Sequence, residues 1–160
     1  MSKQVNVGYT DTPISGVTSL KLTRGLVNFG ADFRTVSEAP GELVVTNITS
    51  PTDRPESFRV GYSTVQDVYK GTTIDPSVYA PSRKGISVLV QLTDTYSVTD
   101  TTDAEFRVDL PISTHVVIKV PSSEYLTADH VMAQVGRCVS GLFETGSEAN
   151  DRLKALLRAL

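Results

Sequence analysis

The stretches Ile86-Ser87-Val88-Leu89-Val90-Gln91-Leu92-Thr93 and Thr114-His115-Val116-Val117-Ile118-Lys119-Val120 decide how this chain folds. In the first, Ile86, Val88, Val90 and Leu92 recur at every second position; in the second, Val116, Ile118 and Val120 do. A period of two is the repeat of a β-strand, whose successive side chains point to opposite faces. Two further runs share it, residues 57–64 with Phe58, Val60 and Tyr62, and residues 105–110 with Phe106, Val108 and Leu110. Four such strands predict an antiparallel sheet with one apolar face, and that face needs a cover.

Upstream, the run Glu42-Leu43-Val44-Val45-Thr46-Asn47-Ile48-Thr49 reads as one more strand, set off by Pro40-Gly41 before it and Ser50-Pro51 after it. Residues 17–23 and 26–36 read as two strands joined by Arg24-Gly25, an N-terminal hairpin. The stretches 66–85 and 94–104, rich in Thr, Asp and Pro, read as surface loops.

Downstream, the period changes to that of a helix. Thr127 is a suitable N-cap, and Asp129 places a carboxylate in the first turn, where the helix dipole favours it. Val131, Val135, Cys138, Val139 and Leu142 fall on one stripe, and Gly146 supplies a stop. Ser147 opens a second helix in which Leu153, Leu156, Leu157 and Leu160 repeat at helical spacing, with Arg152, Lys154 and Arg158 on its other surface. Helices this short are marginal alone in water, so their stripes must dock. The residues expected to pack are Val131, Val135, Val139, Leu142, Leu153, Leu156, Leu157 and Leu160.

The expected fold is therefore α+β: an N-terminal β-hairpin, a five-stranded antiparallel sheet and two C-terminal helices. It forms a single domain over 1–160, with 1–39 the hairpin region, 40–121 the sheet and 127–160 the helices.

Composition bounds the function. With 39% hydrophobic and 21% charged residues the chain is globular, and its net charge of −3 argues against coating nucleic acid by bulk charge. Its one cysteine, Cys138, rules out an internal disulfide and multi-thiolate zinc sites. The opening Met1-Ser2-Lys3-Gln4-Val5-Asn6 lacks the apolar stretch of a signal peptide, so a cytosol-like setting is expected.

Catalytic constellations are missing from the sequence. Its two histidines, His115 and His130, fall at an outward strand position and in the first turn of a helix, and there is no G-x-S-x-G elbow. Cys138, on an apolar stripe, reads as a core residue. Asp94, Asp100, Asp103 and Glu105 lack the order of a calcium loop, and the glycines form no phosphate-cradling motif. Asn47-Ile48-Thr49 matches a glycosylation sequon by chance within a strand. The expectation is a protein that is not an enzyme, with no cofactor and no metal.

The polar face of the sheet is the remaining candidate. If the even positions meet the helices, the opposite face carries Arg59, Ser63, Gln91, Thr93, Arg107, His115 and Lys119. Cations with hydroxyls and an amide suit phosphate and base contacts. Leu89, Val117 and the acidic Asp109 share that face and weaken the case, and many exposed β-faces look alike.

The passage Ser113-Thr114-His115-Val116-Val117-Ile118-Lys119-Val120-Pro121, leading into Leu126-Thr127-Ala128-Asp129-His130-Val131, and the tail Arg152-Leu153-Lys154-Ala155-Leu156-Leu157-Arg158-Ala159-Leu160 resemble the coat proteins of single-stranded-RNA bacteriophages, the leviviruses. The resemblance covers residues 42–160 best and rests on the order and texture of elements. It implies an interlocked obligate homodimer, with the two sheets edge to edge and each chain's helices over the partner's sheet. It further implies an icosahedral shell, assembled in the host cytoplasm, that encloses genomic RNA on the polar sheet face. The seven polar-face residues are then the candidate RNA contacts. Two departures from the family stand out: a short connection at 111–113 between the last two strands, and long loops at 66–85 and 94–104. The alternative reading is a cytosolic β-rich interaction module with no RNA role.

Overall fold

The computed structural model describes residues 27–80, 82–103 and 105–141. The chain falls into two units, one of Val27–Ser122 and one made of Met1–Leu26 with Ser123–Leu160. The expected strand at 17–23, its Arg24-Gly25 turn, the packing residue Leu142 and the whole second helix with Leu153, Leu156, Leu157 and Leu160 lie outside the described residues.

The first unit is a sheet of five antiparallel strands in simple sequence order, β1 (Phe33–Ala39), β2 (Glu42–Asn47), β3 (Ser57–Val65), β4 (Gly85–Thr99) and β5 (Arg107–Pro121). Each hairpin has its local cause. Between β1 and β2 the chain reverses at Pro40-Gly41, where Gly41 takes a φ of 85° that a side chain would strain. Between β2 and β3, Asn47 accepts from the backbone N–H and the hydroxyl of Thr49, at 2.9 and 2.7 Å, which turns the chain out of the strand. Residues 66–84 hold a one-turn helix, α2 (Pro76–Tyr79), started by Pro76 and capped by Asp75, whose carboxylate accepts from the Ser77 N–H at 2.9 Å.

The five-strand count holds, but the membership differs from the expectation. Residues 107–110 and 114–120 belong to one strand, with Glu105 and Phe106 left in the connection before it, and no turn interrupts it at 111–113, because Pro111 continues the ladder opposite Thr95. Residues 94–99, expected in a loop, extend β4 and pair with β5 from Ile112 to Arg107. The Thr- and Ser-rich texture there belongs to the polar side of a strand. The connection between the last two strands is therefore 100–106, and the apparent departure at 111–113 disappears. The expected strand at 26–36 begins only at Phe33: Asn28 caps a helical turn, α1 (Phe29–Asp32), by accepting from the Ala31 N–H at 3.2 Å.

The register sorts the faces. Phe58, Val60 and Tyr62 of β3 stand beside Leu92, Val90 and Val88 of β4, which stand beside Thr114, Val116 and Ile118 of β5. Leu43 and Val45 of β2 join the same face opposite Val60 and Phe58. Phe29 closes one corner, its ring 4.8 Å from Phe58 and 5.2 Å from Phe33. Yet among the described residues only Phe33 and Val45 are buried hydrophobics, at 6% and 8% exposure, while Tyr96 and Leu110 remain 43% and 47% exposed. Among the described residues this core is not completed.

The described part of the second unit contains α3 (Ala128–Ser140). Thr127 begins it as expected, with its backbone N–H donating to Nδ1 of His130 at 3.2 Å. The helix ends at Ser140 with Gly141 as C-cap, short of the stop expected at Gly146. Val131, Val135 and Val139 form its half-buried stripe, whereas Cys138, expected in the core, is exposed. It sits one position before Val139, at the rim of the stripe.

Candidate functional site

The pairing register puts all seven sequence-predicted residues on one face of the sheet, opposite the apolar one. Arg59, Gln91 and His115 form a transverse row across β3, β4 and β5, and Ser63, Ser87 and Lys119 form a second. Thr93 lies between Ser57 and Ser113 in a third row, and Arg107 stands at the far end opposite Thr99.

The structure draws some of these residues into direct contact. Gln91 Nε2 donates to Thr93 Oγ1 at 3.3 Å and to Ser113 Oγ at 3.4 Å, and Ser113 Oγ lies 2.9 Å from His115 Nε2. Gln91, Thr93, Ser113 and His115 are thus one cluster of hydroxyl, amide and imidazole groups on exposed β-sheet. Ser113 was missed because it fell in the expected turn at 111–113. Ser57 and Ser87 share the face as well, and the odd-position parity that selected the other residues would have selected them.

Arg59 and Ser63 line a separate depression of about 330 Å³ with Gly41, Glu42, Gly61 and Leu89. Gly61 makes the hollow, since it leaves its place on the polar face without a side chain. Arg59 is not free there, because its guanidinium pairs with the Glu42 carboxylate.

Arg107 is more committed still. Its guanidinium donates to Asp109 at 2.9 and 2.7 Å and to Asp53 at 2.7 Å. The hydrogen bond from Arg107, reinforced by one from the Ser97 hydroxyl, lowers the Asp109 carboxyl to about 2. The same guanidinium lowers Asp53 and is itself held more firmly protonated. Of the three predicted cations, Lys119 alone has no ion-pair partner among the described residues. The face is polar and hydrogen-bonding, with its positive charge largely compensated. Among the described residues no cluster of His, Cys, Asp and Glu is placed to hold a metal, and no helix is long and apolar enough to cross a membrane.

No protein-family model matches the sequence, and no curated protein does. Solved structures do. The chain is similar to the virus-like particle of bacteriophage AVE015 with a TM-score of 0.80 and 28% identity, over 98% of this chain and 95% of that one. It also matches the virus-like particle of bacteriophage GQ-112 with a TM-score of 0.75 and 15% identity, over 99% of this chain and 97% of that one, a likeness of fold alone. The first of these, at 28% identity, supports a structural, capsid-building role. With a five-stranded meander followed by a helix, the chain has the fold of a bacteriophage coat protein.

Proposed function

We propose that this chain is the shell subunit of a single-stranded-RNA bacteriophage: it pairs with a second copy, the pairs close into an icosahedral particle, and the polar sheet face encloses the genome. The observation that carries the reading is the unfinished core. A sheet with two cleanly sorted faces leaves its apolar side half exposed in one chain, and such a surface marks an interaction site. The similarity to a bacteriophage virus-like particle supports other copies of the same chain as the cover. In this reading the helices of one copy lie over the sheet of the other, and Val131, Val135 and Val139 dock on its apolar face.

The polar face then meets RNA through many weak contacts. Arg59, Ser63, Gln91, Thr93, Arg107, His115 and Lys119 are the candidate contacts, with hydroxyl and amide groups contributing more than net charge. Repetition over a shell compensates for weakness per copy, which makes a net charge of −3 tolerable. The particle assembles in the host cytoplasm and is the chain's final location.

Electron microscopy of the purified recombinant chain tests this. Uniform closed particles that release RNA on denaturation are expected. A monomer, or a small oligomer with a nucleic-acid-free absorbance spectrum, would favour the cytosolic interaction module instead.

A further inference from the structure

We infer that the hollow over Gly61 on the polar face is a pocket for one unstacked guanine base of the enclosed RNA, read by the Glu42–Arg59 pair. This rests on the shell reading above and names the nucleotide that its polar face selects.

The glycine itself is the first observation. Gly61 stands in the middle of β3, where a glycine weakens a strand and gives its neighbours nothing to pack against. Its backbone does not call for one, since among the described glycines only Gly41 and Gly71 take a positive φ. Crowding does not either: an added Cβ would meet only the Gly41 carbonyl oxygen, at an ordinary 3.7 Å. The remaining reason for a bare backbone is close approach by something outside the chain. The register shows what surrounds the bare spot. Glu42, Gly61, Leu89 and Val117 form one transverse row. Arg59 and Ser63 lie two residues to either side of Gly61 along β3. Glu42 and Leu89 thus stand on opposite sides of the hollow, two strand spacings or about 10 Å apart. Leu89 and the exposed Val117, out of place on a polar surface, continue the hollow as an apolar shelf on which a base can lay its ring.

The polar wall decides which base. Arg59 Nε donates to Glu42 Oε1, and both side chains remain partly open to solvent. That single bond leaves the second carboxylate oxygen and the two terminal amino groups of the guanidinium without a partner among the described residues. The pair therefore presents acceptor, acceptor and donor side by side, the pattern that cytosine offers in a base pair. Its complement is the edge of guanine, where N2–H and N1–H donate and O6 accepts. No other RNA base carries two neighbouring donors there. Adenine would set its N1 lone pair against the carboxylate, cytosine would set N3 there, and uracil brings a single N–H. Bases splayed out of single-stranded RNA expose this edge to a protein. A carboxylate repels the phosphates that this face meets, so its place there calls for a base that donates to it.

Binding of the full chain to fluorescein-labelled oligouridine with one test nucleotide at its centre decides this, read by fluorescence anisotropy. Guanosine should bind about tenfold more tightly than adenosine, cytidine or uridine, the gain expected of hydrogen bonds to a charged group. Inosine, which lacks the N2 amino group, should fall between, and equality with guanosine would overturn the two-donor contact. Gly61→Val fills the hollow in a chain that should melt no lower than the parent. Glu42→Gln breaks the acceptor pair without filling anything. Both should bring guanosine level with adenosine. Glu42→Gln should do so while total RNA affinity rises, a split that loss of structure does not produce. A guanosine preference that survives both variants would overturn the pocket. Equal affinity for all test nucleotides in a chain that still forms RNA-filled particles would overturn it too, and leave the shell reading standing. A chain that binds no oligomer and encloses no RNA would remove both. Guanosine monophosphate binding as tightly as the oligomer would make the ligand a free nucleotide and overturn the assignment to RNA.

Discussion

The guanidinium of Arg107 donates to the carboxylate of Asp53 at 2.7 Å, fastening the connection between β2 and β3 to the far end of β5, fifty-four residues on. With Asp109 and Ser97 it makes the only place among the described residues where two carboxyls are drawn below their ordinary range by the same guanidinium.

Acid should expose this network. The Asp109 carboxyl sits at about 2 when folded against an ordinary value of 3.8. Its stabilising effect is fully present above the ordinary value and is lost as pH falls through the folded one. Arg107→Gln removes the cause, so its acid unfolding midpoint should lie at higher pH than that of the parent. Far-UV circular dichroism followed from neutral pH downward reads this, and coincident curves would show that the network contributes nothing.

Gly85 should tolerate no side chain. A Cβ there would come within 2.3 Å of the Val120 carbonyl oxygen and 2.5 Å of a Val68 methyl. The first obstacle is backbone and cannot rotate aside. Gly85→Ala should cost about 3 kcal/mol, the upper part of the overpacking range, measured as a lower urea midpoint at unchanged slope.

The two aromatic corner residues should differ in cost. Phe33 is buried, and Phe33→Ala should destabilise by roughly 3 kcal/mol. Phe29 is half exposed and acts through its edge contact with Phe58, so Phe29→Ala should cost only about 1 kcal/mol. Equal losses in thermal melts would contradict this division.

Glu42 should act as a brake on RNA binding at the polar face. It occupies Arg59, so Glu42→Gln should free one cation and steepen the salt dependence of RNA affinity by about one unit of log–log slope. Arg59→Ala should change it far less. Filter binding of disassembled subunits at several salt concentrations distinguishes the two.

The sheet was legible because its strands alternate so strictly: Ile86 to Leu92 and Val116 to Val120 could bury only one face. Residues 94–99 were not legible as strand, because Thr95, Ser97 and Thr99 carry the chemistry of turns and only their pairing with Pro111, Asp109 and Arg107 reveals the ladder. Pro111 misled for a similar reason. Its missing N–H signals a break in isolation, and only the strand's position at the edge of the sheet makes it harmless. The polar face followed from parity, and the register sets its seven predicted members on that one face, with Arg59, Ser63 and Arg107 apart from the others. Asp109 was legible on that face two residues from Arg107, but parity could not show that Glu42 and Asp53 also compensate the cations, since those two contacts join strands and loops distant in sequence.

Pro111 and Pro121 have a further consequence for the newly made chain. A long, uninterrupted strand edge is a template on which any extended peptide can stack, the route by which nascent chains clump. Both prolines are odd-numbered and lie on the side of β5 turned away from β4, since the Ser122 N–H donates to Lys84 O. Two absent donors along that rim make indiscriminate stacking less rewarding. The same two residues would thus keep a newly made chain out of such stacks for longer.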